Sequence, residues 1–321
     1  MRILVTAPHL ETEGSALLAA AGATVAFVEP AGDRAAMARA LAAAPHVGVI
    51  SRSIPIGAAE MDLCPTLRVI SRAATGHDAI DIAAATERGI AVMVAAGANA
   101  VSVAEYTIGL IIAVARHIPT HDQRTRAGGW QRQPLGLELA GRTLGLVGYG
   151  RIGARVGAVA EAMGLRLLAW SPSRAAAGTA PPLDTLFAES DIVSLHVPLT
   201  PGTRHIVDAR RLALMKRGAI LVNTGRGALV DEVALAAALH AGHLHGAALD
   251  VLSVEPAPPG HPLLAAPRLI VTPHMGGATT IARGATGRAA AVHALDVLLG
   301  RTPPADACVN SAVLARRAGP A

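Results

Sequence analysis

The sequence predicts an α/β protein built as two doubly wound parallel-sheet domains, and three observations carry that prediction. Short β-branched apolar runs alternate with Ala-rich helical stretches along most of the chain, the pattern of parallel strands joined by helices. Hydrophobic residues make up 52% of the 321 positions and charged ones 16%, enough to fill two cores and too apolar for a disordered chain. Aromatic residues contribute only 2%, so the apolar content is Ala, Val, Leu and Ile, which suits helices packed on both faces of buried parallel strands.

The first strand series is expected at residues 3–6, 24–28, 47–50, 67–71 and 90–94, with helices between them at 12–21, 34–43 and 80–88. The second series is expected at 143–147, 165–170, 191–196, 219–223, 246–251 and 269–272, with helices at 152–163 and 232–241. A helix-patterned stretch at 101–117 separates the two series. A polar, Gly-containing segment at 121–141 then reads as a connector, and a last helix is expected at 280–299.

Cys64 and Cys308 have no metal-ligand spacing and cannot form a disulfide framework, so free thiols in a reducing compartment are expected, with no metal. Met1 and Arg2 lead straight into a strand-like run, and charge, Gly or Pro interrupts every long apolar stretch before it would span a bilayer. A cytoplasmic protein with no membrane partner is the expectation. The formal net charge of +5 comes from arginine, because Lys216 is the only lysine. Those arginines are scattered and lack aromatic neighbours for base stacking, which argues against a nucleic-acid partner.

Gly148-Tyr149-Gly150-Arg151-Ile152-Gly153 is a G-x-G-x-x-G, which by itself is common in a chain with 33 glycines. Its place gives it meaning: it follows a buried strand and opens a helix whose apolar face includes Val156, Val159 and Met163. The first glycine permits a tight turn, the second lets backbone approach a pyrophosphate, and the third lets helix and strand pack closely. The helix N-terminus then offers free N–H groups and a positive dipole end to the diphosphate. A nicotinamide dinucleotide is therefore expected. The following strand ends in Ser171 where an NAD site carries an acid, and Arg174 stands near enough to pair with a 2′-phosphate. NAD or NADP, with dual use, stays open on these residues.

Three strand ends in the second series carry unusual polar residues: Asn223-Thr224-Gly225-Arg226-Gly227, the run from Asp250 to Glu255-Pro256, and Thr272-Pro273-His274. Arginine grips a carboxylate with two prongs and polarises the adjacent carbonyl. Histidine titrates near neutrality and can pass a proton, and a glutamate beside it favours the imidazolium. Together they make a set suited to reducing a keto acid. Singly, Arg226 is also readable as a turn arginine, Glu255 as a loop acid and His274 as one histidine of 13.

As a set, N-T-x-R-G at 223–227, D-V-x-x-x-E-P at 250–256, T-P-H at 272–274, G-x-G-R-I-G at 148–153 and H-x-P-L-T-P-x-T at 196–203 resemble the D-isomer specific 2-hydroxyacid dehydrogenase family. The form resembled is the short, phosphoglycerate dehydrogenase-like one, and the likeness covers nearly the whole chain. It implies a Rossmann dinucleotide-binding domain at residues 101–284, inserted into a split flavodoxin-like substrate domain at residues 1–100 and 285–321. It assigns Arg226 to the substrate carboxylate and carbonyl, His274 to acid–base work, and Glu255 to orienting His274. Thr203, Thr224, Asp250 and Gly277 align with cofactor-contacting positions. Thr75 and Gly76 match a loop whose amides hold the carboxylate, and Arg52 matches an arginine that reaches the far end of the substrate. Tyr106 stands where many members have histidine. The expected substrate is a small 2-keto or D-2-hydroxy acid of the phosphoglycerate, hydroxypyruvate or glyoxylate type. A homodimer is expected, and no C-terminal regulatory domain. Formate-type members carry glutamine at the position of Glu255, which disfavours that branch. A phosphite-type dehydrogenase and a dinucleotide-sensing, corepressor-like binding protein both keep the triad and remain alternatives.

Overall fold

The structure is a computed structural model that describes residues 1–317. In chain order the elements begin β1 (Arg2–Val5), α1 (Thr12–Ala20), β2 (Thr24–Phe27), α2 (Arg34–Ala43), β3 (Gly48–Ser51), α3 (Ala58–Asp62), β4 (Val69–Arg72), α4 (Ile82–Glu87) and β5 (Ala91–Val94). There follow α5 (Ala100–Ala115), α6 (Ile118–Arg126), β6 (Thr143–Val147), α7 (Arg151–Ala162), β7 (Arg166–Trp170), α8 (Pro172–Ala176), α9 (Leu183–Glu189) and β8 (Ile192–Leu195). The series continues with α10 (Ala209–Leu214), β9 (Ile220–Asn223), α11 (Glu232–His240), β10 (Gly246–Leu249), β11 (Leu269–Val271), α12 (Thr280–Leu298) and α13 (Ala312–Arg317).

The chain divides into two compact units, one of Met1–Asn99 with Thr279–Ala321 and one of Ala100–Ala278. The later boundary falls at Thr279 rather than residue 285, because Thr279 caps α12 through a bond from Ala282 N and the helix packs as one body. Positions 318–321 of the expected second segment lie outside the described residues.

The first unit holds a five-stranded parallel sheet of order β2-β1-β3-β4-β5, the flavodoxin-like arrangement. One face is covered by α2, α3 and α4 over Leu4, Val49, Ile70 and Val92. On the other, α12 lies against β3, β4, β5 and α1, burying Ala290, Ala291, Ala294 and Val297. Small residues make this contact close: a Cβ on Gly14 of α1 would meet the carbonyl oxygen of Gly287 in α12 at 2.8 Å.

The second unit holds a six-stranded parallel sheet of order β11-β10-β9-β8-β6-β7. Strand alternation divides its core. In β9, Ile220 and Val222 join the layer under α5 and α7 while Leu221 joins the opposite layer, and in β10 Ala247 and Leu249 oppose Ala248 in the same way. Both faces are therefore apolar, which is why the strands read as continuous hydrophobic runs. Numbered in chain order within this unit the strands run 2-1-3-4-5-6 against the classical 3-2-1-4-5-6, because the third strand, β8, lies beside the first, which leaves β7 as a half-buried edge strand. Strand order reverses between β6 and β8, so the crevice at their carboxyl ends is where a ligand belongs in such a sheet.

Two expectations need correction. Residues 118–126, partly within the expected connector, form the helix α6, which buries no residue and is laced by an Arg126–Asp122 pair at 2.8 Å. A polar helix of this kind shows no apolar period to read. Val159, expected on the apolar face of α7, is 45% exposed. The buried stripe of α7 is Gly153, Val156, Gly157 and Ala160, spaced as i, i+3, i+4 and i+7, and Val159 falls off it. Among the described residues no single helix is long and apolar enough to cross a membrane, and no group of three or more His, Cys, Asp or Glu is placed to hold a metal ion.

Candidate active site

The glycine loop runs from the end of β6 into α7. Gly148 has φ +110°, which an L side chain rarely adopts, and a Cβ there would collide with the backbone of His196 and Val197 at the end of β8. A Cβ at Gly153 would collide with the Gly148 carbonyl oxygen, so this glycine lets α7 start against the loop. Gly150 is the N-cap of α7 and faces open space. The loop therefore leaves a clear approach to the positive end of a 12-residue helix, which fits a diphosphate. Arg151 and Ile152 form the first turn, Arg151 exposed and Ile152 packed against the core beneath.

Ser171 caps α8 by accepting a bond from Arg174 N at 3.3 Å. The Arg174 guanidinium lies 5.2 Å from the ring centroid of Tyr149 in the glycine loop, a cation–π contact that orients it beside the loop. His196, at the strand-order reversal, hydrogen-bonds Ser194 Oγ at 2.9 Å, and burial pushes its imidazole down to about 4, so it is neutral near pH 7. Thr203 Oγ1 donates to Pro198 O at 2.7 Å and accepts from Thr200 N at 2.8 Å, which closes the loop after β8.

Arg226, Glu255 and His274 arrive from the ends of β9, β10 and β11, and the loops that carry them are tied together. Asn223 accepts from Gly225 N at 3.0 Å and donates to Arg226 O at 2.8 Å, fixing the turn that presents Arg226. Gly227 rests directly on the Leu252–Ser253 backbone, where any Cβ would clash. Glu255 Oε1 accepts from Leu252 N at 3.0 Å, and Glu255 Oε2 lies 2.9 Å from His274 Nδ1. That contact engages Nδ1 of a half-exposed imidazole and leaves Nε2 as its other ring nitrogen. Glu255 and His274 border a hollow of about 410 Å³ with largely apolar walls from Leu252, Pro256, Leu264 and Pro273.

The backbone of His274 has φ +57°, an unusual conformation for histidine, and Asp250 explains how it is held. Asp250 is 1% exposed; its Oδ1 accepts from Thr272 Oγ1 and Met275 N, and its Oδ2 from Gly276 N, each at 2.7 Å. His274 N also donates to the Asp250 carbonyl at 2.8 Å. Asp250 thus organises the His274 loop, with Gly277 half-buried just beyond. Thr224 Oγ1 is 2.9 Å from Thr107 Oγ1 of α5 and lies below the Arg226 turn.

The remaining sequence-predicted residues lie in the first unit. Thr75 Oγ1 donates to Asn99 Oδ1 at 2.8 Å, which shapes the Thr75-Gly76 loop after β4. Arg72 Nε donates to Gly76 O at 3.0 Å and Arg72 Nη1 to Arg52 O. Arg52 itself pairs with Glu11.

Sequence reasoning missed a second carboxylate–imidazole pair beneath the Glu255 loop. Glu232 Oε1 accepts from Ser253 N at 2.7 Å while Oε2 lies 3.1 Å from His261 Nε2. In the sequence Glu232 reads only as a first-turn helix acid, a common and sufficient role.

Comparison with known proteins finds relatives over most of the chain. The model of the D-isomer specific 2-hydroxyacid dehydrogenase NAD binding domain matches residues 108–276. A glyoxylate reductase of Thermofilum pendens is 44% identical over 271 residues, 81% of this chain and 79% of that one. A D-3-phosphoglycerate dehydrogenase of Methanocaldococcus jannaschii is 43% identical over 73% of this chain, which spans only 46% of that longer protein. The crystal structure of a protein from Thermus thermophilus superposes with a TM-score of 0.86 at 41% identity, covering 96% of this chain and all of that one (100%). With a dinucleotide-type glycine loop and an Arg, Glu and His set at three neighbouring strand ends, the chain belongs to the D-isomer specific 2-hydroxyacid dehydrogenase family and is an oxidoreductase acting on CH–OH groups with a nicotinamide dinucleotide.

Proposed function

We propose that the chain interconverts a small 2-keto acid and its D-2-hydroxy acid, with Arg226, Glu255 and His274 as its catalytic residues. The observation that carries this reading is the 2.9 Å contact between Glu255 Oε2 and His274 Nδ1. It fixes the ring orientation and leaves Nε2 to exchange a proton with the substrate oxygen. Glu255 stabilises the imidazolium before that proton leaves. Arg226 binds the substrate carboxylate and polarises the carbonyl. In the first unit, the amides of Thr75 and Gly76 are assigned to binding a carboxylate, and Arg52 to the region of a substrate's far end.

The residues suited to hold the dinucleotide are Gly148, Gly150, Arg151, Ile152 and Gly153 at the diphosphate, with Ser171 and Arg174 toward the adenosine ribose. Thr203, Thr224, Asp250 and Gly277 shape the loops around the rest. When bound, the nicotinamide supplies or accepts the hydride at C2 of the substrate. Ser171 in place of an acid and Arg174 oriented by Tyr149 support use of NADP as well as NAD.

The reading extends to a cytoplasmic homodimer formed through the second unit. Two free cysteines support a reducing compartment. The second unit exposes Trp130 at 80%, Leu135 at 71% and Val159 at 45%, apolar area that a second copy would cover. The deciding experiment is a panel of 2-keto acids with NADH and NADPH, followed at the nicotinamide absorbance band, with His274→Ala alongside. The native chain should reduce at least one small 2-keto acid, and His274→Ala should lower kcat by about a hundredfold or more. Undiminished turnover in the variant would refute the assignment of His274.

A further inference from the structure

Two arginines reach the carboxyl ends of β3 and β4 in the first unit, and the protein itself engages both. Arg52 follows β3; its amide donates to Thr6 Oγ1 at 3.0 Å, and its Nη2 donates to Glu11 Oε2. Glu11 occupies the N-cap position of α1 but makes no capping bond with its side chain, which pairs with Arg52 instead. The carboxylate sits in a slot that Gly287 of α12 leaves open, since a Cβ at Gly287 would come within 2.5 Å of Glu11 Oε2. The pair is mostly covered, with side-chain exposures of 23% for Arg52 and 16% for Glu11.

The location matters as much as the pairing. In a sheet of order β2-β1-β3-β4-β5 the strand order reverses between β1 and β3, and ligands bind at the carboxyl ends there. Thr6, Glu11 and Arg52 meet at that point. Arg72 then links Arg52 O to Gly76 O, so a continuous line runs from Glu11 to the Thr75-Gly76 loop.

We propose that Glu11 is a specificity-determining residue. It occupies Arg52 from within the protein, so that the chain takes 2-keto acids whose far end is short and uncharged and turns away those carrying a second anionic group such as a phosphate ester. This inference rests on the 2-keto acid reaction proposed above. A phosphate arriving at Arg52 must displace a charge-assisted bond and then remain beside the Glu11 carboxylate, which repels it. Discrimination of this kind comes from a built-in repulsive group, whereas the arginine alone would attract the ester.

The test compares kcat/KM for hydroxypyruvate and for its phosphate ester, 3-phosphohydroxypyruvate, in the native chain, in Glu11→Gln and in Glu11→Gln/Arg52→Gln. The native chain should prefer hydroxypyruvate by more than about a hundredfold, the scale of one to two charge-assisted bonds. Glu11→Gln keeps the shape and removes the charge. It should raise the ratio of ester to hydroxypyruvate activity roughly ten- to a hundredfold, mainly through KM for the ester. The double variant should lose that gain, because the gain depends on a released arginine. Glu11→Asp, which shortens the reach to Arg52, should give part of it and serves if the glutamine variant does not fold. A native chain that uses the ester as well as hydroxypyruvate would overturn the proposal. So would a Glu11→Gln ratio that does not move, or a gain that survives loss of Arg52. Failure to reduce any 2-keto acid would overturn the reaction itself, and this inference with it.

Discussion

Replacing Asp250 with asparagine changes one atom and should uncouple the His274 loop. The carboxylate receives three donors, two on Oδ1 and one on Oδ2, all at 2.7 Å. Asparagine can keep its oxygen toward Thr272 Oγ1 and Met275 N, but its NH2 group then faces Gly276 N–H, donor against donor. The loss is one charge-assisted bond to a buried amide, worth about 2–3 kcal/mol, and a weakening of the other two. A total near 3 kcal/mol is expected, which lowers the urea midpoint by roughly 1–2 M for ordinary denaturant sensitivity. The assay is favourable because both tryptophans, Trp130 and Trp170, lie in the second unit, so their fluorescence reports the unit that holds Asp250. Thr272→Val, which removes only a hydroxyl donor, should cost about 1 kcal/mol and sets the scale. Turnover should fall together with stability in Asp250→Asn, because the left-handed backbone at His274 depends on the two amides that follow it. An Asp250→Asn chain with a native midpoint and native kcat would refute this account of the loop.

Other expectations follow from single contacts. Gly150→Ala should leave thermal stability unchanged, because a Cβ there meets nothing within 4 Å, yet weaken NADH binding about tenfold or more in a fluorescence titration. Gly153→Ala should weaken binding and also cost roughly 1–3 kcal/mol of stability, since its Cβ collides with the Gly148 carbonyl; equal melting temperatures for the two variants would contradict the geometry. Stability should decline as pH falls from about 6.5 toward 4. His196 is held down to about 4 in the folded state by burial, while the unfolded chain takes up that proton near the ordinary value of 6.5. The His196 contribution is up to about 2–3 kcal/mol, and His46, His117, His245 and His293 are displaced in the same direction, burial first. A His196→Gln chain should show a shallower fall in melting temperature over that window, and an unchanged slope would dismiss the assignment. Arg174→Ala should lower kcat/KM with NADPH by about tenfold and leave NADH little affected; parallel losses would mean that Arg174 does not meet the 2′-phosphate.

The strands were the most legible part of the chain. Parallel strands covered on both faces are apolar along most of their length, so runs such as residues 220–222 stand out without an alternating polar face. The glycine loop was legible because backbone conformation and close packing leave few alternatives at Gly148 and Gly153. The helix α6 was not, because nothing in it is buried and its support comes from its own polar pairs. Asp250 could be singled out, but its role in holding residues 272–276 depends on two loops far apart in sequence. Glu232, His261 and the pairing of Arg52 with Glu11 were invisible for the same reason. Each is an ordinary surface-type residue until the fold brings its partner within 3.1 Å or less.

The way α12 completes the first unit has a consequence for synthesis on the ribosome. The face of β3, β4 and β5 that α12 covers includes Val69, Ala91 and Met93, all buried only once Ala294 and Val297 pack over them. Those strands emerge before residue 99, and their covering helix begins at Thr280. At roughly 5–20 residues per second, the nascent chain carries that apolar face uncovered for tens of seconds while the second unit, contiguous in sequence, is made and can fold whole. The first 99 residues are thus the part that most needs protection from aggregation during translation, even though their strands are the first to appear.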